Sequence, residues 1–323
     1  MKEIILYGAG KTGKKVARIL NRHGIQIAGF CDSMKTGNVT FDVGGGKTET
    51  KPILDLENIA IYKYVILITI SDYDQSIKVR KKIDEYKIEI TTVEQVLYPG
   101  QNAVSRSRDY VAEYHADEME EYFLQAEQQE DLMVFWKEDG IFRQMFRKLN
   151  IKSVIELACG RGRHVPQYSM DARKIVLVDI LKKNIDYCKE RFGKETKISY
   201  CVNNGYDLRD LESETYTALF TYDSMVHFEM LDIFQYLKET YRILVSGGRA
   251  LFHHSNSTED YRITYSTGTY GRNYMGKELF AYLSNRAGLI VLEQHVIDWN
   301  GKSELDCLTL VEKPNVVQGL KKP

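Results

Sequence analysis

Residues 154–165 read VIELACGRGRHV, and the reading of this stretch decides the fold. The β-branched pair Val154-Ile155 leads into Glu156, a Gly160-x-Gly162 turn follows, and Arg161, Arg163 and His164 make the next segment basic. A second apolar run, residues 174–178, ends in Asp179. A strand that stops at glycines lets a ligand approach the backbone closely at the carboxyl edge of a parallel sheet, and an acid ending the next strand is placed to grip ribose hydroxyls. Glu156 narrows the ligand further. A phosphate cradle excludes a carboxylate at that point, whereas a ligand carrying an ammonium group welcomes one.

Outward from this stretch, the chain alternates strand and helix patterns. In the second half, strands are expected at 153–157, 174–178, 197–202, 217–222, 248–254, 289–296 and 305–312, with helices between most of them. That spacing predicts one doubly wound sheet, and Trp299-Asn300-Gly301 predicts a hairpin that makes its edge antiparallel. In the first half, Ile4–Tyr7, Ile25–Cys31, Tyr64–Ile70 and Ile88–Thr92 read as strands, and 11–23 and 75–86 as helices. Residues 33–60 read as irregular, with Gly44-Gly45-Gly46 as a turn or mobile loop. Residues 101–113 read as a polar linker and 114–149 as helical. The expected division is a Rossmann-like, nucleotide-binding-like domain over 1–100, a linker and helical lid over 101–150, and the larger α/β domain over 151–323.

The 323 residues suit two domains, and a net charge of −1 gives no electrostatic case for nucleic acid or an anionic membrane. The longest apolar run, Val65 to Ile70, is too short to span a bilayer. The chain opens directly on a strand, so no signal peptide is expected. The five cysteines form no CxxC and no metal spacing. Reduced thiols, a cytoplasmic location and no metal are the expectation.

A second glycine turn, YGAGKTG at 7–13, supplies Gly8, Gly10 and Gly13 after a strand, opens a helix, and has Asp32 capping the next strand. That is the context of a dinucleotide fingerprint. It makes these four residues a candidate nucleotide site, with an NAD(P)-binding oxidoreductase as an alternative function and a purely structural N-terminal module as the other reading of this domain. The domain lacks the second βαβ half that a whole dinucleotide needs, and no Tyr-x-x-x-Lys pair accompanies it.

The turn at Gly160, Asp179, Asn204-Gly205-Tyr206-Asp207, Tyr222-Asp223 and the Gly247-Gly248 pair after Leu244 come in an order that resembles the class I S-adenosylmethionine-dependent methyltransferases, over about residues 130–312. Ser246 stands where that family's LKPGG signature has proline. The resemblance implies a seven-stranded methyltransferase domain with S-adenosyl-L-methionine as cofactor. It implies that Glu156, Ala158, Gly160 and Gly162 line the methionine part, and that Asp179 accepts from the ribose. Ile180 would pack on the adenine, Asn204, Gly205 and Tyr206 would contact its edge, and Tyr222 and Asp223 would sit near the sulfonium. The first hundred residues resemble the small domain that precedes the β-helix in bacterial sialic-acid and sugar O-acyltransferases, carried by YGAGKTGKKVARIL, IAGFCDS and VILITIS. No hexapeptide repeat follows. This second resemblance implies a bacterial protein of polysaccharide biosynthesis and a sugar, nucleotide-sugar or capsule or glycan precursor as small-molecule acceptor, methylated on oxygen, with a homo-oligomer possible.

An oxygen acceptor calls for a base at the carboxyl ends of the fourth and fifth strands, where Asp223, His227, His253 and His254 lie. His253 and His254 are neighbours in a strand and so face opposite sides; His254, nearer the strand end, is the expected pocket residue of the two. Tyr270, Arg272 and Tyr274 occupy a loop where an acceptor would bind, with Arg272 suited to a phosphate or carboxylate. Tyr114, with His115 and Tyr122, is expected to close the pocket.

Overall fold

The computed structural model describes residues 2–99, 106–116 and 128–315. The chain forms two compact units, Met1–Asp117 with Arg262–Asn273, and Glu118–Tyr261 with Tyr274–Pro323.

The second unit is built on seven strands: β7 (Ser153–Leu157), β8 (Lys174–Asp179), β9 (Ile198–Val202), β10 (Tyr216–Thr221), β11 (Leu244–Ser255), β12 (Ile290–Trp299) and β13 (Lys302–Glu312). Their order is β12-β13-β11-β10-β7-β8-β9. The five central and outer strands from β11 to β9 run parallel, and β13 is antiparallel to both β11 and β12. The expected doubly wound sheet with an antiparallel edge is therefore present. Asn300 and Gly301 both take positive φ between the paired Trp299 and Lys302, the geometry of a two-residue hairpin turn.

Alternation along the strands makes two cores, because successive side chains point to opposite faces. Val154, Leu177, Phe220 and Leu251 bury one face against α6 (Gln129–Trp136), α7 (Ile141–Phe146) and α9 (Lys182–Phe192). Ile155, Val176, Leu219 and Phe252 bury the other against α10 (Met230–Ile243) and α11 (Lys277–Arg286). Strands apolar on both faces are what a sheet covered on both sides requires.

The first unit has a parallel sheet in the order β2-β1-β5-β6, from β1 (Ile4–Tyr7), β2 (Ile27–Cys31), β5 (Val65–Ile68) and β6 (Glu89–Thr91), with α1 (Lys11–Arg22) and α3 (Tyr73–Glu85) among its helices. Two segments differ from the sequence reading. Residues 33–60 are not irregular: β3 (Asn38–Gly44) pairs with β4 (Lys47–Pro52) and α2 (Leu56–Ile61) follows. Val39 and Phe41 are buried on the hairpin's inner face, while β4, KTETKP, is polar because most of it faces solvent. Residues 106–116 are helical, so the linker reading fails from 106 onward; residues 101–105 and Tyr122 lie outside the described residues. Tyr110 and Val111 on this helix join the core of the unit, and Arg106 pairs with Asp109 one turn on. No described helix is long and apolar enough to cross a membrane.

Candidate functional site

The chain leaves β7 toward β8 and β9, then returns to β10 on the other side of β7. The crevice outside the carboxyl ends of β7 and β10 is thus the topological switch point, where open α/β sheets bind ligands. Both strands are followed within two residues by a non-glycine residue with left-handed backbone, Ala158 at φ 55° and Asp223 at φ 55°. Such a residue costs about 1–3 kcal/mol and persists only where its surroundings hold it. The Ser224 hydroxyl donates to the Ala158 carbonyl at 3.3 Å and ties the two turns together. Gly160 and Gly162 also have positive φ, and a Cβ on Gly162 would come within 2.6 Å of the Phe192 ring.

Glu156, the last but one residue of β7, lies in the interior, 2 % exposed. Tyr168, on the short helix α8 (Val165–Tyr168) after the glycine turn, donates its hydroxyl hydrogen to Glu156 Oε2 at 2.7 Å. Oε1 is buried with no hydrogen-bond partner among the described residues. Burial raises the Glu156 carboxyl to about 8 against the opposing Tyr168 bond and the Arg163 charge. Asp179 closes the turn from β8: its Oδ2 accepts from Gly160 N at 2.9 Å, and its Oδ1 from Leu181 N at 2.8 Å and Asn184 Nδ2 at 3.1 Å. Burial lifts this carboxyl to about 6 in spite of those three donors.

A chain of polar contacts crosses the same edge. Arg163 Nη2 donates to Asp223 Oδ2 at 3.0 Å in a nearly buried ion pair. The Asp223 amide donates to His253 Nδ1 at 3.0 Å, and His253 Nε2 lies 3.1 Å from Asp306 Oδ2. On the other flank, the Trp136 indole donates to His164 Nδ1 at 2.9 Å, and burial drives His164 well below the usual histidine range. Aromatic rings wall this chain. Tyr222 packs at 4.2 Å on Phe142, 4.6 Å on His253 and 4.8 Å on Phe135, and Phe135 stacks on Trp299.

The two adjacent histidines part as strand alternation requires, and the structure does not bring His254 to this edge. Its ring stacks on Phe280 at 3.8 Å on the α11 side. Nδ1–H donates to the Ser255 carbonyl and the Thr309 hydroxyl donates to Nε2, both at 2.8 Å. Burial pushes it down to about 3. The residue that shares the Asp223 edge is His253. His227 is half-buried at the end of a single 3₁₀ turn, Met225–His227, directly after Asp223. Ile180 is half-buried just beyond β8. Asn204 Oδ1 accepts from Tyr206 N and Asp207 N around Gly205, at φ 84°, and Asn203 and Asn204 line a cleft at the carboxyl end of β9.

In the first unit, Gly8 has φ 121°, and a Cβ on Gly13 would meet the Gly8 carbonyl oxygen at 1.9 Å, so α1 packs directly on β1. Asp32 Oδ2 accepts from Ala9 N at 2.8 Å, the same closure that Asp179 makes on Gly160. Gly10 caps α1 with no side-chain bond. Tyr114 is a core aromatic here, with Lys15 Nζ 3.3 Å from its ring centroid and Tyr265 packed edge-on. Tyr270 and Arg272 belong to the first unit and Tyr274 to the second. Tyr270 N donates to the Ser71 carbonyl at 2.9 Å, and buried Arg272 donates to the Tyr270 carbonyl.

The sequence reading passed over Arg163, Tyr168, Trp136 and Asp306 as site residues. Asp306 carried a signal, as one acid inside the apolar run LDCLTLV of β13.

Residues 154–248 match the model of the methyltransferase domain family. No curated protein sequence matches the chain. Among solved structures, a SAM-dependent methyltransferase from Aquifex aeolicus is similar at 11% identity and TM-score 0.45, covering 60% of this chain and 97% of that one. The geranyl diphosphate C-methyltransferase of Streptomyces coelicolor A3(2), solved with S-adenosyl-L-homocysteine, is similar at 14% identity and TM-score 0.44, covering 53% and 74%. A SAM-dependent methyltransferase from Mesorhizobium loti is similar at 11% identity and TM-score 0.43, covering 53% and 96%. The second unit thus carries a methyltransferase domain, an enzyme domain, and its cofactor is S-adenosylmethionine.

Proposed function

We propose that the domain methylates an oxygen of a sugar, nucleotide-sugar or related capsule or glycan precursor, with His227 as the base. The observation that carries the choice of base is access at the sheet edge: His164, His253 and His254 are buried, whereas His227 is half-buried. A neutral imidazole accepts at one nitrogen only. In His164 that acceptor is taken by Trp136, in His253 by the Asp223 amide, and in His254 by Thr309. His227 is the one of the four that is not buried, and it follows Asp223 on the crevice side of β10.

The residues fit the cofactor. Glu156 Oε1, buried without a partner among the described residues, suits the ammonium of the methionine part, and Gly160 and Gly162 leave the backbone open to close approach. When bound, S-adenosylmethionine supplies a methyl group on a sulfonium centre. Glu156 holds the ammonium end, Asp179 fixes the glycine turn and offers its carboxylate to ribose hydroxyls, and the wall of Tyr222, Phe135 and Trp299 keeps water from the crevice. His227 takes the acceptor's proton as its oxygen forms the new bond. The sugar-type acceptor is supported by the first unit, whose glycine turn closed by Asp32 is built like a nucleotide-binding βαβ start.

The test is calorimetric titration with S-adenosylhomocysteine, followed by transfer of a radiolabelled methyl group to a panel of sugars and nucleotide-sugars. Binding together with labelling of a hydroxyl is expected. Binding with labelling confined to amines or carbons overturns the acceptor class, and no binding at all removes the site.

A further inference from the structure

The left-handed Asp223 must be held by its neighbours, and the holding group is His253 on the adjacent strand β11. A backbone amide can only donate, so His253 Nδ1, 3.0 Å from Asp223 N, carries a lone pair. The ring proton therefore sits on Nε2 and is donated to Asp306 Oδ2 at 3.1 Å. Histidine and aspartate are both 0 % exposed, so water does not compete for either partner. Asp306 pairs in register with Ser255, across the β11–β13 ladder, which fixes its height along the sheet two residues beyond His253. The opposite tautomer would set two N–H groups against each other at Asp223.

From this we infer that Asp306 is a positioning residue for the cofactor edge. By selecting the Nε2–H tautomer of His253 it holds the Asp223 amide, and through the Asp223 carboxylate it holds Arg163, one residue past Gly162. The inference rests on the cofactor lying at this edge. It gives β13, which is separated from β7 and its glycine turn by β11 and β10, a part in setting that turn.

Substitutions on the full chain separate this role from simple core packing. Asp306→Asn keeps an oxygen that accepts from Nε2–H and should bind S-adenosylhomocysteine within about twofold of the parent. Asp306→Leu removes the acceptor and should weaken binding by about tenfold, the scale of one released backbone strain. His253→Asn places its Oδ1 where Nδ1 stood and should bind well. His253→Gln reaches Asp306 but leaves the Asp223 amide bare and should bind poorly. Nitrogen-15 spectra of labelled histidine should show Nδ1 unprotonated and Nε2 protonated in the parent. Tight binding by both Asp306→Leu and His253→Gln, or a His253 protonated at Nδ1, overturns the inference. Should Asp306→Leu not fold, the two His253 variants and the parent spectrum decide. A parent that does not bind S-adenosylhomocysteine refutes the cofactor site itself, while the tautomer spectrum still reads the Asp306 contact.

Discussion

Tyr168 donates its hydroxyl hydrogen to Glu156 Oε2 at 2.7 Å where both side chains are buried, and this single bond does not offset the cost of charging the carboxyl there. The folded-state value of about 8 lies above the ordinary 4.5. The sign follows from proton counting. Below the ordinary value Glu156 is neutral in both states; between it and about 8 the folded state holds the extra proton, and stability falls as pH rises through that window. Glu156→Gln should therefore raise the melting temperature at pH 8 and leave it nearly unchanged at pH 4. It should also weaken S-adenosylhomocysteine at least about tenfold, because a neutral amide pairs poorly with an ammonium. Unchanged affinity would remove Glu156 from the site.

The same carboxyl links binding to protons. An arriving ammonium favours the ionised form, so the protein should release roughly one proton per S-adenosylhomocysteine bound at pH 7 and almost none at pH 9. Titrations in buffers of different ionisation enthalpy measure the number directly. A count near zero at pH 7 would mean that the ammonium is met elsewhere.

Asp179 serves two partners at once, the Gly160 amide and, on the proposed reading, the ribose. Asp179→Ala should weaken S-adenosylhomocysteine by about tenfold to a hundredfold, the loss of one or two charge-assisted bonds. Asp179→Asn can still accept from Gly160 N through its amide oxygen and should fall between the two. An Asp179→Ala variant that binds like the parent would place the ribose away from β8.

His254 and His227 should separate cleanly. His254→Leu leaves the Ser255 carbonyl and the Thr309 hydroxyl without the imidazole, and should cost about 2–3 kcal/mol of stability with S-adenosylhomocysteine affinity unchanged. Its parent histidine titrates at about 3 when folded against 6.5 ordinarily, so the unfolded state binds the extra proton below pH 6.5 and stability falls as pH drops toward 3. The variant should lose that acid slope. His227→Ala should instead lower kcat by about a hundredfold with the melting temperature nearly unchanged. A full-rate His227→Ala enzyme would rule it out as the base.

How much of this was legible varies with what the residues do. The central strands of the second unit read true because Val154-Ile155, Ile175–Val178 and their like are buried on both faces, and Asn300-Gly301 announced its turn by residue type alone. The β3–β4 hairpin was hidden because Lys47–Pro52 buries almost nothing and so carries no apolar pattern. Helix 106–116 was hidden by its polar start, although Tyr110, Val111 and Tyr114 fall at helical spacing. Glu156 and Asp179 were readable as acids at strand ends. Tyr168 was not, and Asp306 showed only as an acid inside an apolar run, because they reach Glu156 and His253 through folding, from 12 and 53 positions away.

The division of the chain sets a last expectation. Residues Arg262–Asn273 leave the second unit's run of sequence and belong to the first. There Tyr265 is buried against Tyr110 and Tyr114, the Ser266 hydroxyl donates to Glu94 Oε2 at 2.9 Å, and Tyr270 N donates to the Ser71 carbonyl. The first unit is therefore completed by sequence that follows β11. Removing residues 1–100 would strip Tyr265 of most of the core it packs in and leave Ser266 and Tyr270 without these partners, exposing an aromatic surface that favours association. The truncated chain should aggregate on purification. Tyr265→Ala in the full chain should lower the melting temperature by about 5–10 °C, as for losing a large buried aromatic. A soluble, monomeric truncation with a cooperative melt, seen by light scattering and calorimetry, would show that residues 262–273 do not depend on the first unit.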